Sequence, residues 1–137
     1  MNENMDAMLG AKTFAVVGAS TNKEKYGYLC YASLKAHGKT VYPVNPRADA
    51  IDGDACYPSV SDLPEKPDVV VAVVPPAITE KLVDEMAAQS LTNLWMQEGA
   101  ESRAAIDKAE QAGIATVHSG PCIMVGLRTF GRPRQQS

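Results

Sequence analysis

The stretch Val16-Val17-Gly18-Ala19-Ser20 decides the fold, because an apolar β-branched run there meets a turn of small residues. Residues 13–18 predict a short strand, and residues 26–37 have the apolar spacing of a helix, which Gly38 would close. Strand, small-residue turn and helix in that order are typical of nucleotide-binding α/β folds, where backbone N–H groups approach phosphate. The turn also fits a fold without a ligand, since the Gly-x-Gly-x-x-Gly pattern is absent.

Strands and helices alternate along the rest of the chain. The run 68–74 is almost wholly apolar, as expected for a parallel strand covered on both faces. Alternation of this kind predicts right-handed βαβ units. We therefore expect a single-domain, Rossmann-like, doubly wound and mostly parallel sheet in three α/β/α layers. Its further predicted parts are strands at 40–44, 93–96 and 114–117, helices at 76–89 and 102–112, a short extended piece at 55–57 and a single turn at 60–63.

The length of 137 residues predicts one domain. Residues 1–8 are expected to form a leader or a short helix with Met5, Met8 and Leu9 on one face. Residues 9–128 are expected to form the nucleotide-binding domain. The remainder, 129–137, is polar and predicts a flexible tail.

Composition argues against several classes of protein. A net charge of −3 gives no global reason to bind nucleic acid, and no apolar run is long enough to span a membrane. The N-terminus lacks the pattern of a signal peptide. Three cysteines, scattered along the sequence, argue against a disulfide framework or a metal site and favour a reducing, cytoplasmic location.

The end of the second strand argues against NAD as the ligand. NAD sites usually carry an acidic residue there to hold the ribose hydroxyls. Residues 39–47 contain no acid, and Val44, Asn45 and Pro46 form the strand end, flanked by Lys39 and Arg47. A ribose that carries a phosphate, as in NADP or CoA, fits this composition better.

Two later strand ends and one loop add candidate ligand contacts. Val74, Pro75 and Pro76 form a rigid wall, and Gln97, Glu98 and Gly99 follow the next strand. In a parallel sheet these ends share one edge, where ligands bind. Lys23 and Lys25 could pair with phosphates, or they could belong to a solvated loop around Glu24.

These segments together resemble the stand-alone CoA-binding domain proteins, which are similar to the N-terminal domain of the succinyl-CoA synthetase α subunit. The resemblance covers roughly residues 9–128. It is carried by Val17-Gly18-Ala19-Ser20, Tyr26-Gly27, Tyr42-Pro43-Val44-Asn45-Pro46, Gly53 with Tyr57-Pro58-Ser59, Val74-Pro75-Pro76 and Trp95-Met96-Gln97-Glu98-Gly99.

The resemblance implies CoA bound along the carboxyl edge of the sheet. Gly18, Ala19, Ser20 and Thr21 would hold phosphate, Asn45 and its neighbours would lie at the ribose phosphate, and residues 74–76 would line the nucleotide or pantetheine. Two departures stand out. Lys23 replaces an arginine frequent in relatives, and Ser119-Gly120-Pro121-Cys122 replaces their Asp-Arg-Cys.

Catalytic residues are not evident in the sequence. The phosphohistidine domain of the synthetases has no counterpart in the 137 residues. His118 and Cys122 could pair, although no third orienting group is apparent. Cys122 is otherwise a small apolar residue, or a redox thiol that forms a reversible mixed disulfide with CoA.

We therefore expect a protein that binds CoA or a short acyl-CoA without catalysis, as a carrier, sensor or regulatory module. The alternatives are an NADP-dependent or other nucleotide-dependent enzyme and a CoA-binding subunit of a larger acyl-CoA synthetase-like complex. Apolar residues after the last strand predict a possible homodimer; they are Ile123, Met124, Val125 and Leu127.

Overall fold

The computed structural model describes residues 3–130 and contains a five-stranded parallel sheet. Its strands lie in the order β2-β1-β5-β6-β7. The sheet confirms the predicted Rossmann-like, doubly wound fold. The strands are β1 (Thr13–Val17), β2 (Thr40–Val44), β5 (Val69–Ala72), β6 (Asn93–Met96) and β7 (Ala115–Val117).

Five helices cover the two faces of this sheet. Helices α1, α2 and α5 contribute to the apolar cluster on one face, and α3 and α4 to the cluster on the other. The sheet is therefore the middle layer of three, as the sequence predicts. The helices are α1 (Glu3–Leu9), α2 (Tyr26–Ala36), α3 (Pro76–Ala88), α4 (Arg103–Gln111) and α5 (Ile123–Thr129).

Strand β1 is central to the fold. Phe14, Ala15 and Val16 are fully buried, and they alternate between the two apolar clusters. At its carboxyl end Val17 is in register with Val44 of β2 and Ala72 of β5. The chain order reverses at β1, so a cleft between the connections opens above the ends of these three strands.

A small hairpin and a 3₁₀ turn follow β2. The hairpin pairs β3 (Ala50–Ile51) with β4 (Asp54–Ala55), slightly earlier than the predicted piece at 55–57. Tyr57 then forms an isolated parallel bridge with Val44. The predicted single turn is the 3₁₀ helix Val60–Asp62. These elements carry the chain beside the end of β2 before it enters β5.

Helix α5 corrects the argument for a homodimer. Ile123 is fully buried and Leu127 is 5% exposed, whereas Val125 is 42% exposed. Ile123 and Leu127 therefore pack within the chain, and the expectation that all four apolar residues are exposed is wrong, although Val125 is exposed. The homodimer itself stays a prediction. Gly126 allows α5 to pack closely against Leu9 of α1, because a Cβ at Gly126 would lie only 3.2 Å from the Leu9 side chain.

The two ends of the described region also have regular structure. Met8 and Leu9 of α1 are buried, in agreement with the apolar face predicted for a leading helix. Helix α5 runs to Thr129, beyond the boundary predicted after residue 128. The tail residues 131–137 lie outside the described part. Within residues 3–130, none of the helices is long and apolar enough to span a membrane.

Candidate functional site

A recess of about 770 Å³ lies at the carboxyl ends of β1, β2 and β5. This volume falls in the range of small-molecule sites. The reversal of strand order at β1 places it where ligands bind in this architecture. Its walls include Val17, Gly18 and Ser20 after β1, Val44 to Arg47 after β2, Val73 to Pro75 after β5, and parts of α2, α3 and the loop at Pro58 and Ser59.

Two glycines bring the first turn of α2 against the end of β1. A Cβ on Gly27 would lie 1.9 Å from the Gly18 carbonyl oxygen. Gly18 itself has φ of +96°, and a Cβ there would lie 2.1 Å from the Val73 carbonyl oxygen. Both positions require glycine, because the Cβ of any other residue would collide with these backbone oxygens.

Five of the backbone N–H groups around this turn have no hydrogen-bond acceptor among residues 3–130. They belong to Ala19, Ser20, Thr21, Tyr26 and Gly27. Helix α2 has neither a side-chain cap nor an acidic residue in its first turn, and α3 shares both features. By contrast, Ser102 caps α4 by accepting from the Ala105 N–H. The uncapped N-termini of α2 and α3 favour an anion.

Three basic side chains line the recess from three directions. Lys25 precedes α2, Arg47 follows β2 and Lys81 lies on α3. The ion pairs found within residues 3–130 involve other lysines, namely Lys35 and Lys108. The lining contains these three basic residues and one acidic residue, Glu85, so the recess keeps a net positive charge.

Asn45 connects the end of β2 to the phosphate turn. Its Nδ2 donates to the Ala19 carbonyl oxygen at 2.7 Å, and its Oδ1 accepts from the Arg47 N–H at 2.8 Å. The backbone N–H of Asn45 donates to the Tyr57 carbonyl oxygen. Asn45 lines the recess, but these bonds hold the protein's own backbone and position Arg47.

The structure brings together most of the predicted contact residues, but separates some of them from the recess. Ala19 is fully buried and is not among the lining residues. Thr21 and Lys23 are exposed and are not among the lining residues. The Lys23 ammonium instead lies 5.9 Å from the ring centre of Tyr28. A direct role for these three side chains is not supported by the geometry of this recess.

Lys39 lies at the other end of β2, away from this recess. Its Nζ donates to the carbonyl oxygens of Leu9 at 2.7 Å and Ala11 at 2.6 Å. Burial lowers the pKa of this lysine from its ordinary value. The grouping of Lys39 with Arg47 at the ribose end is therefore wrong, because a residue that precedes a parallel strand lies at the opposite edge.

A second, shallower recess of about 380 Å³ adjoins the first along the same edge. It is lined by residues 73–76 and 98–100, including Pro76, Glu98 and Gly99. Gln97 is not part of either lining. It is 5% exposed, and its Oε1 accepts from the Ile123 N–H at 2.8 Å. Gln97 therefore holds the start of α5.

Sequence reasoning missed several residues that line the main recess. They come from the first three turns of α3 and from the loop after the hairpin, and they are Pro58, Ser59, Ile78, Lys81, Leu82 and Glu85. Glu85 is the acidic residue of this lining, and its Oε2 accepts from Ser61 Oγ at 2.7 Å.

Cys122 does not pair with His118. The His118 Nδ1 lies 3.3 Å from Ser119 Oγ, whereas the Cys122 sulfur accepts from Gln97 Nε2 at 3.1 Å. Ser119 Oγ in turn donates to Glu101. A Cys–His nucleophile is therefore not assembled here. Residues 3–130 also contain no cluster of three or more metal-binding side chains.

Comparison with known proteins agrees with this geometry. Residues 12–128 match the model of the CoA-binding domain. The chain belongs to the CoA-binding domain family. A conserved hypothetical protein from Pyrococcus furiosus has a solved structure that is 42% identical to this family member, with a TM-score of 0.79, and the match covers 83% of this chain and 97% of that one.

Two further relatives extend the comparison. A hypothetical protein from Pyrococcus horikoshii is 34% identical in sequence, with a TM-score of 0.87, over 93% of this chain and 90% of that one. The α subunit of an ADP-forming acetate–CoA ligase I from Pyrococcus furiosus is 31% identical over 93% of this chain and 29% of the subunit. The chain spans 10% to 29% of the length of such curated ligases.

Proposed function

We propose that this CoA-binding domain holds CoA or a short acyl-CoA in the 770 Å³ recess, without catalysis, as a carrier, sensor or regulatory module. The supporting observation is that unpaired backbone N–H groups and three basic side chains lie together at the carboxyl edge of the sheet. A ligand with several phosphates would satisfy both sets of groups. The unpaired cysteines fit a reducing cytoplasm.

We assign a role in CoA binding to each part of the recess. The diphosphate would accept hydrogen bonds from the N–H groups of residues 19–21 and of α2. Arg47, with Lys81 on the facing helix, would contact the ribose phosphate. Val74, Pro75 and Ile78 would pack against the adenine or the pantetheine arm, and the arm would continue toward Glu98 and Gly99 in the second recess.

Calorimetric titration of the reduced protein with CoA, dephospho-CoA, NADP and NAD tests this function. We expect CoA to bind, and dephospho-CoA to bind about tenfold more weakly, because one charge-assisted hydrogen bond contributes about 1.5 kcal/mol. Heat with NADP and none with CoA would contradict the proposal and favour the nucleotide-dependent enzyme instead.

A CoA-binding subunit of a larger synthetase-like complex is a second candidate. It is favoured by the match of 93% of this chain to part of an acetate–CoA ligase α subunit. Native mass spectrometry of the protein isolated gently from its own cells separates the two. A free-standing module gives this chain with or without one CoA, whereas a subunit gives a heteromeric mass.

A further inference from the structure

Glu85 is the acidic residue in the lining of the 770 Å³ recess, which also contains Lys25, Arg47 and Lys81. It lies on α3, which begins at Pro76, so it is about 13 Å further along the helix axis than that start. Helix α3 begins at the carboxyl edge of the sheet and runs back toward the amino edge. The acidic residue is therefore separated along α3 from the edge where phosphate is expected.

A hydrogen bond from a second element holds the Glu85 carboxylate. Ser61 Oγ donates to Glu85 Oε2 at 2.7 Å, and Ser59 Oγ lies 3.4 Å from Ser61 Oγ. Ser61 belongs to the 3₁₀ helix Val60–Asp62, which packs against α3. Glu85 is half-buried at this contact. The direction of the carboxylate is therefore set by the 3₁₀ helix as well as by α3.

The other oxygen of this carboxylate has no donor in the described part of the chain. Within residues 3–130, no hydrogen bond or ion pair reaches Glu85 Oε1. Lys81 lies four residues earlier on α3, a spacing that often gives an ion pair, yet these two side chains do not pair in this region. An ionised carboxylate can only accept hydrogen bonds. The recess thus contains a positioned acceptor that residues 3–130 leave free.

The lining around this acceptor is largely apolar. Leu82, three residues before Glu85, is 3% exposed, and Ile78 lies one turn earlier on the same helix. Pro58 lines the recess from the loop that leads to the 3₁₀ helix. A carboxylate repels phosphate, whereas apolar walls with one polar group suit a flat ring that carries a hydrogen-bond donor.

We propose that Glu85 recognises the base of the bound nucleotide, and that its free oxygen accepts a hydrogen bond from the exocyclic amino group of adenine. This inference rests on the proposed function, in which CoA occupies the recess. Adenine has an amino donor at its six position, whereas guanine has an acceptor oxygen there, which a carboxylate repels. Glu85 is therefore a specificity-determining residue for adenine, while the basic residues and the N–H groups bind phosphate irrespective of the base.

Two ligands that differ only in this amino group test the role of Glu85. They are CoA and an analogue that carries unsubstituted purine in place of adenine, titrated calorimetrically into the reduced protein at one salt concentration. We expect the analogue to bind about tenfold more weakly, because a hydrogen bond to a charged acceptor is lost. Equal affinities would overturn the inference and leave CoA as the ligand. Absence of CoA binding would contradict the proposed function, and this inference with it.

Variants assign the selectivity to the carboxylate. Glu85→Met removes the acceptor, so the ratio of the two affinities should fall to about one. The ratio is the decisive quantity, because loss of a negative charge should strengthen the binding of both ligands equally. Glu85→Gln keeps a neutral acceptor and should give an intermediate ratio. Glu80→Met, on the same helix but outside both recess linings, should keep the tenfold ratio. A tenfold ratio in folded Glu85→Met would overturn the inference.

Discussion

The two ends of β2 each carry a basic residue, and the surroundings of these residues differ. At the amino end, Lys39 donates to the carbonyl oxygens of Leu9 and Ala11. At the carboxyl end, Arg47 lines a recess of about 770 Å³ beside unpaired backbone N–H groups. The amino end also has a recess, of about 330 Å³, but Lys35 and Asp54 in its wall pair with each other. Both ends of β2 carry positive charge, but only at the carboxyl end does that charge lack a partner within residues 3–130. This difference distinguishes the candidate ligand site.

The largest expected effect concerns the backbone packing at the carboxyl end. Gly27→Ala places a methyl group 1.9 Å from the Gly18 carbonyl oxygen, so α2 must move away from β1. We expect a loss of about 4 kcal/mol or more in the free energy of unfolding, in the range of severe packing defects. Urea denaturation measures it. Gly120→Ala is the comparison, since a Cβ there would lie no closer than 3.6 Å to its nearest neighbour, Val117; equal stability of Gly27→Ala and the parent would contradict the packing argument.

Lys39→Met should weaken the fold without affecting CoA binding. The substitution removes the donor to two partly buried carbonyl oxygens, which costs about 1–3 kcal/mol. Urea denaturation with CoA titration of the same sample checks both halves, with Lys66→Met as the matched loss of an exposed lysine. Reduced CoA affinity in folded Lys39→Met would contradict this account and show that Lys39 contributes to CoA binding.

Arg47→Met should show the opposite behaviour. Loss of one charge-assisted contact to a phosphate should weaken CoA binding about tenfold and should reduce its dependence on salt concentration. The free energy of unfolding should stay near that of the parent, because the Arg47 side chain is exposed. The affinity for dephospho-CoA should change little. An equal loss for CoA and dephospho-CoA would show that Arg47 contacts another part of the ligand.

The smallest effect concerns acid stability at the amino edge. Hydrogen bonds from Thr13, ahead of a smaller contribution from Lys12, hold the pKa of Asp68 below its ordinary value. Because the pKa of Asp68 is lower in the folded than in the unfolded state, its ionised carboxylate stabilises the fold fully above the unfolded-state pKa. This stabilisation is lost as the pH falls through the folded-state pKa. Asp68→Asn should therefore flatten the acid limb of stability in urea denaturation between about pH 5 and 2. Glu110→Gln on exposed α4 should leave that limb unchanged.

The sheet was predictable because its determinants are local in sequence. β-Branched runs in β1 and β5 mark buried strands, and their parallel direction places residues 18–20 and 73–75 at one edge. Strand direction alone also shows that Lys39 cannot lie beside Arg47, because Lys39 precedes β2 and so lies at the amino edge of the sheet. This inference required only the order of residues along the strand.

The remaining features depend on packing between elements. Lys81 lines the recess because α3 packs over the sheet beside the strand ends, and Leu9 meets Gly126 because α1 packs against α5. Helix α5 was missed because Gly126 lowers helix propensity and its apolar run looked exposed. Sequence periodicity alone does not give such distances between elements.

Amide chemical-shift mapping during a CoA titration of ¹⁵N-labelled, reduced protein tests the central claim most directly. The account predicts that shifts concentrate on Ser20, Gly27, Arg47 and Lys81, around the recess at the carboxyl end of β2. Shifts that concentrate instead on Lys35, Lys39 and Tyr42, around the recess at its amino end, would contradict the account.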